Sequence, residues 1–404
     1  MATTLITAPA AMLTPTGQPA LSDWSLTGDK IHLNHGSYGA VPRAAQEHQL
    51  ALKALMDANP CTWFMGQAAA LAGTRAEVAD YLRVDADDLA LVPNASAGVS
   101  VVYNSLTFPN GAQIVTTDHT YGAVLEGAHR VARECNGEVR IAVVPLDADA
   151  ALSCELVMAQ VTERTALIVI DQITSATARS FPVTEIARAA KELGIPVLVD
   201  GAHAPGALAA PVPDFEGFWV GNLHKFACAP RGTAAVVARG PLREQLHPLI
   251  DSWGFPHAFP ESFDHVGTQD ITSWMAAKTS FDTIENRYGW DAVRSYSSAL
   301  ADYGQATIQD AFAAVTGEDA TADVGMSVGH LRLVRLPRGL ATTHEESHSV
   351  RAWISDTLNI ETAITTFGGA GYLRLSSHVY NTAGDFEDFA ERAVPELFRL
   401  AHNR

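Results

Sequence analysis

From about Asp87 to Arg239 the chain alternates short apolar runs with amphipathic stretches, and this periodicity constrains the fold most. Runs at 89–92, 114–116, 139–144, 166–170, 197–199, 218–220 and 234–237 are too short for buried helices and read as strands. Between them lie segments such as 184–193, followed by Gly194 as a helix-stop signal. Short strands alternating with helices predict an α/β fold with a mostly parallel seven-stranded sheet, covered by helices on both faces. In such sheets the chemistry gathers beyond the carboxyl ends of the strands.

Beyond about residue 280 the pattern changes to long helical stretches, with a linking helix expected over 280–312 and strands at 330–336 and 372–376. The expected organisation is therefore an N-terminal arm (1–30), a large domain (31–285) and a smaller α+β domain (286–404). The first 22 or so residues of the arm read as loosely held. At 404 residues, with 47% apolar content, the chain can bury more than one core. Its net charge of −18 argues against nucleic acid and anionic membrane surfaces as partners. No run approaches the roughly 18 apolar residues of a membrane helix. The first twenty residues lack Lys and Arg, so no secretory signal is expected. Cys61, Cys135, Cys154 and Cys228 share no metal-like spacing and read as reduced, mostly buried thiols of a cytoplasmic protein.

Two strand ends carry the chemistry. The run 197–199 terminates in Asp200, and the run 218–220 leads through Asn222 and His224 to Lys225. A lysine at a strand end needs a partner. A carboxylate able to pair a pyridinium and an amine able to form a Schiff base together suggest pyridoxal 5′-phosphate. The turn from 89–92 into Asn94, Ala95 and Ser96 offers small residues at a helix start, suited to a phosphate, although Asn94 or Ser96 equally serves as a cap. His119 and Tyr121 follow a strand: His119 is the candidate to stack on a cofactor ring, Tyr121 the spare acid or base. His203 could reach the ring hydroxyl or brace a Gly/Pro loop, and Gln172 and Ser175 lie at the same sheet edge. Arg374, among apolar neighbours in 372–376, suits a substrate carboxylate, unless it faces water from an edge strand. His344 and His348 match the HExxH metalloprotease pattern literally, but polar neighbours mark a solvated helix start capped by Thr343, and no metal site is expected.

Taken together these residues resemble the class V aminotransferase family of fold-type I pyridoxal phosphate enzymes, in its isopenicillin N epimerase-like branch. Leu33-Asn34-His35-Gly36-Ser37-Tyr38-Gly39, Asp118-His119-Thr120-Tyr121, Val199-Asp200-Gly201-Ala202-His203-Ala204-Pro205-Gly206 and His224-Lys225 carry the likeness. Ser252-Trp253-Gly254, Gly267-Thr268-Gln269-Asp270 and Leu373-Arg374-Leu375-Ser376 extend it, so that it spans about 30 to 380. The resemblance implies Lys225 as Schiff-base lysine, Asp200 as pyridinium partner, His203 beside O3′ and His119 over the ring. It implies Ala95, Ser96, Asn222 and His224 around the phosphate, and Ser175 near the ring oxygen. Arg374 with Asn34 would bind the substrate. It also implies a homodimer with shared sites, in which Thr268 reaches the neighbouring subunit's phosphate.

One departure narrows the reaction; others, at Ser175 and Ala178, leave the substrate's identity open. No cysteine lies between Arg351 and Arg374, where the family's desulfurases carry their catalytic one, which disfavours desulfuration. Ala178 stands where relatives usually have Gly. The expected activity on a small amino acid proceeds through an external aldimine and loss of the Cα proton to the lysine. Epimerisation and C–S lyase chemistry are nearly level as outcomes, and transamination stands third. A fold-retaining protein without turnover is set aside, because Lys225, Asp200 and Arg374 are all intact.

Overall fold

The structure is a computed structural model and describes residues 6–402. The chain folds into two compact units. One comprises Val41–Thr174 and Ser180–Thr283; the other comprises the described residues up to Ala40, Ser175–Arg179 and those from Ile284 onward. Residues 31–40 and 175–179 thus belong with the C-terminal portion rather than with the large domain expected over 31–285.

The first unit holds seven strands: β1 (Leu89–Val92), β2 (Gln113–Thr117), β3 (Glu138–Ala142), β4 (Thr165–Asp171), β5 (Val197–Asp200), β6 (Gly217–Asn222) and β7 (Ala234–Arg239). Their order is β1-β7-β6-β5-β4-β2-β3, with β7 antiparallel to both neighbours and the remaining pairs parallel. The near-continuous apolar runs follow from burial on both faces. Leu89, Leu91, Ile168, Ile170, Val197, Val199 and Trp219 pack into one core cluster, while Ala90, Val92, Leu167, Val169, Leu198, Phe218 and Val220 pack into another. Alternate residues of each strand therefore feed opposite layers, as the two-residue side-chain period requires. Helix Ala95–Ser105 approaches closely at Gly98, where an added Cβ would lie 2.8 Å from side-chain atoms of Val220 and Val236.

In the second unit Ala370–Ser376 is the central strand of an antiparallel sheet with Ala363–Phe367 and Leu331–Arg335. Helices Trp290–Thr316 and Ala383–His402 contribute Phe312, Phe386 and Phe389 to its core, which also includes Leu373 and Leu375. The single helix expected over 280–312 is two: Ala277–Tyr288 ends at Gly289, whose φ of 75° no helix can carry, and Trp290–Thr316 begins anew.

The expected arm is anchored at residues 23 and 24, just past the stretch read as loosely held. Residues 1–5 of the expected arm lie outside the described residues. Trp24 is buried beside Tyr288 and Tyr380, and Asp23 accepts hydrogen bonds from Arg287 and Tyr288. Of the four free cysteines only Cys228 is buried; Cys61 is exposed, and Cys135 and Cys154 are half-buried, which corrects the expectation of mostly buried thiols. Among the described residues no helix is long and apolar enough to cross a membrane. Thr343 caps the helix His344–Leu358, and both His344 and His348 sit on its exposed first turns.

Candidate active site

The centre of the site is the turn that follows β6. Leu223 N–H donates to the Thr233 carbonyl and Cys228 N–H to the Lys225 carbonyl, which closes the turn and fixes where Lys225 leaves the backbone. The loop after β5 is pressed against it at Gly206 (φ 80°), where a Cβ would lie 2.3 Å from the Phe226 carbonyl oxygen. That approach brings His203 Nε2 to 3.0 Å from Lys225 Nζ. His203 Nδ1 lies 3.3 Å from the Ile173 carbonyl, which can only accept. Nδ1 therefore carries the hydrogen, and Nε2 offers its lone pair to the lysine amine.

Asp200 ends β5 and is buried; the Ala202 N–H donates to its Oδ1 at 2.9 Å. Burial pushes this carboxyl up, while the Ala202 N–H and then the charge of Lys225 pull it back toward ionisation.

At the end of β1, Asn94 caps helix Ala95–Ser105 by accepting the Ala97 N–H at 2.8 Å. Asn222, the last residue of β6, accepts the Ala95 N–H at 2.8 Å. The Ala95 donor, expected at a phosphate, is thus committed to Asn222 in this arrangement. Ser96 is exposed at the same helix start, and among the described residues no hydrogen bond engages its N–H or hydroxyl. Helix N-termini with such open donors favour anions. His224 Nδ1 donates to the Thr233 carbonyl at 2.8 Å. Burial, assisted by the charge of Lys225, holds this imidazole down to about 4 despite the carbonyl's opposing pull. The ring is therefore neutral near pH 7 and needs a proton before it can donate from Nε2 as well. Thr268 lies exposed on the loop before Ile271.

His119 is buried after β2, its Nε2 2.7 Å from the Val144 carbonyl and its ring edge-on to Phe181. Asp118 steadies the same loop by accepting the Val144 N–H at 3.0 Å. Tyr121 begins helix Gly122–Glu134 and is 47% exposed. Gln172 is occupied structurally: its carboxamide accepts from Trp219 Nε1 at 2.9 Å and donates to the Pro211 carbonyl.

In the second unit, Arg374 is 3% exposed on the central strand, so the wet-edge alternative does not hold. Its guanidinium donates to the Ser175 carbonyl at 2.6 Å, to Asn34 Oδ1 at 3.2 Å and to Ser37 Oγ at 2.9 Å. Asn34 is itself held, by the Ser37 hydroxyl at 2.6 Å and by donation to the Thr362 carbonyl. Ser175 meets Arg374 through its backbone oxygen and, at 3.4 Å, through its Oγ. Ser37 and Asp171 were not expected among the site residues. For Asp171 a signal existed: Val169-Ile170-Asp171 ends its strand just as Leu198-Val199-Asp200 does.

Comparison with known proteins identifies the family. The family described as Aminotransferase class-V matches residues 62–389. An isopenicillin N epimerase of Streptomyces clavuligerus is 28% identical over 92% of this chain and 98% of its own length. A putative L-cysteine desulfhydrase 1 of Oryza sativa subsp. japonica is 26% identical over 90% of this chain and 82% of its own. A solved structure of a C-DES mutant, with glycine covalently linked to its PLP cofactor, shares the fold with a TM-score of 0.78. It is 16% identical and covers 93% of this chain and 99% of that one.

The residues fit a phosphorylated pyridine aldehyde on their own chemistry. A lysine amine held by an imidazole lone pair suits the aldehyde, a buried carboxylate suits the ring nitrogen, and the open Ser96 donors at a helix start suit the phosphate. The chain belongs to the class-V aminotransferase family, whose cofactor is pyridoxal 5′-phosphate.

Proposed function

We propose that this protein epimerises or racemises a small amino acid by taking the Cα proton from one face and returning one to the other. The observation that carries the reading is the contact of Lys225 Nζ with His203 Nε2, 3.0 Å apart, beside the buried Asp200. When bound, the cofactor supplies an electron sink that acidifies the Cα–H bond. Lys225 Nζ anchors it and, when free, accepts the Cα proton. Asp200 holds the proton on the ring nitrogen, and His203 keeps the amine oriented and neighbours the ring hydroxyl. His119 would cover the ring, and Ser175 would lie near its oxygen. Ser96, Asn222, a protonated His224 and the Ala95 turn hold the phosphate. Arg374, kept in one orientation by Asn34 and Ser37, takes the substrate carboxylate as a bidentate fork. Tyr121, half exposed, is the second acid. Two copies are taken to share sites, with Thr268 reaching the phosphate bound by the other copy.

The similarity to isopenicillin N epimerase over nearly the whole of both chains supports this reading. A second reading, C–S lyase chemistry, draws on the similarity to the L-cysteine desulfhydrase. In that case Tyr121 would donate to a departing sulfur. Transamination stands third. The stretch between Arg351 and Arg374 offers no cysteine to receive sulfur, which disfavours desulfuration.

Incubation of the loaded enzyme with candidate amino acids in D₂O tests the proposal. Deuterium at Cα with inverted configuration is the expected result. Release of pyruvate and a thiol would establish the lyase instead, and a 2-oxo acid with pyridoxamine phosphate would establish transamination.

A further inference from the structure

Asp171 ends β4 and Asp200 ends β5, and the two are register partners across parallel strands. Register partners of parallel strands point to the same face, a strand spacing of about 4.8 Å apart. Both are buried, at 2% and 4% exposure. Asp171 accepts hydrogen bonds from the Tyr121 N–H and the Thr120 hydroxyl. Its Oδ2 is sealed from solvent without a hydrogen-bond partner among the described residues. The Thr120 hydroxyl also lies 2.5 Å from Thr116 Oγ1, so the whole turn after β2 is tied to the sheet edge.

Two ionised carboxylates so placed would repel each other in a poorly solvated space. The surroundings divide them. Asp200 has the Ala202 N–H and the attraction of Lys225; Asp171 has the Tyr121 and Thr120 donors, which favour its charge, but no cation beside it and one oxygen with nothing to solvate a charge. From helix Ala95–Ser105 the buried Tyr103 adds no cation: its hydroxyl donates to the Val124 carbonyl, and burial pushes its ionisation up.

We propose that Asp171 is a positioning residue of the cofactor site: as a neutral carboxylic acid it pins Thr120 and Tyr121 to the end of β4 and leaves Asp200 the pair's single anion. The position of Asp171 supports this, since burial and then the charge of Asp200 drive its carboxyl well above the ordinary range. A cofactor ring nitrogen would then meet one negative charge rather than two. The loop that carries His119 and Tyr121 would owe its placement to a residue that touches neither substrate nor cofactor. The inference rests on the assignment of Asp200 to the ring nitrogen only for its cofactor consequences; the proton on Asp171 stands apart from it.

The test uses infrared difference spectra of the full chain near neutral pH, compared with Asp171→Asn, together with the pH titration of the cofactor's visible band. The expected result is a protonated-carboxyl carbonyl stretch that sharpens on cofactor binding and is absent from Asp171→Asn. That variant keeps the acceptor oxygen and the neutral charge, so the pH midpoint of the visible band should not move. Asp171→Leu, which strands the Tyr121 and Thr120 donors, should weaken cofactor binding by about tenfold. A missing carboxyl band, or a midpoint displaced by Asp171→Asn, would show Asp171 ionised and overturn the proposal. Unchanged cofactor affinity in Asp171→Leu would overturn the positioning role. A wild-type protein with no visible band at all would instead sink the cofactor assignment while leaving the infrared result standing.

Discussion

Lys225 Nζ lies 3.0 Å from Nε2 of His203, whose other nitrogen is turned toward the Ile173 carbonyl. A lysine received by an imidazole lone pair is held where a reactive amine is needed. Replacing Lys225 by Ala should abolish the visible imine absorbance and lower turnover by about three orders of magnitude or more, the scale of a lost general base. Because the side chain is only half-buried, the fold should persist. Absorbance spectra, steady-state rates and circular dichroism of the variant check each part.

Asn222 accepts the Ala95 N–H from the last position of β6 and so joins the lysine-bearing strand to the helix start. Asn222→Ala leaves that buried donor unpaired, at a cost of about 1–3 kcal/mol. Thermal unfolding without cofactor should show the loss. Cofactor titration should show weaker binding too, since the helix start is no longer held.

His224 and His330 make apo-protein stability depend on pH. Burial lowers His224 to about 4 and His330 to about 3, whereas in the unfolded chain both titrate near the ordinary histidine value, about 6.5. As pH falls below about 6.5 the unfolded chain gains protons that the folded one refuses, so this contribution is complete above that pH and lost toward 4. For His224 it amounts to roughly 3 kcal/mol. Denaturant midpoints between pH 7.5 and 4.5 should fall less in His224→Asn than in the native chain. Phosphate, which favours the protonated ring, should flatten the native profile. An Asn variant with the native slope would contradict the assignment.

Arg374 donates to the Ser175 carbonyl, Asn34 and Ser37 from a buried strand. Lysine keeps the charge but loses the planar fork. Arg374→Lys should raise KM for an amino-acid substrate by about ten- to hundredfold, as expected for a lost bidentate contact, with a smaller effect on kcat. A kcat loss at unchanged KM would assign Arg374 some other role.

Ala178 stands at φ 50°, the left-handed region that penalises a Cβ by roughly 1–2 kcal/mol. Ala178→Gly removes that strain and gives back part of the gain as chain entropy. A net stabilisation of up to about 1 kcal/mol should appear as a higher Tm.

Much of this was legible in the residues themselves. Six of the seven apolar runs announced the sheet because a strand buried on both faces leaves no polar alternation to hide it, the edge strand β3 being partly exposed, and Gly194 (φ 69°) ended its helix as read. Asp200 and Lys225 were legible because their types are chemically conspicuous at strand ends. The break at Gly289 was missed because one glycine inside a helical pattern is tolerated unless the backbone turns left-handed there, which composition does not reveal.

The sequence by itself determined the α/β class, the strands and the chemically distinctive residues, since these follow from side-chain period and functional-group identity. Only the tertiary structure decided which groups meet. It set β4 beside β5 so that Asp171 and Asp200 share an edge, committed the Ala95 N–H to Asn222, occupied Gln172 with Trp219, and anchored the N-terminal segment through Trp24 and Asp23. Such pairings depend on strand order and burial, and residues far apart in the chain carry no local mark of the neighbours they will have.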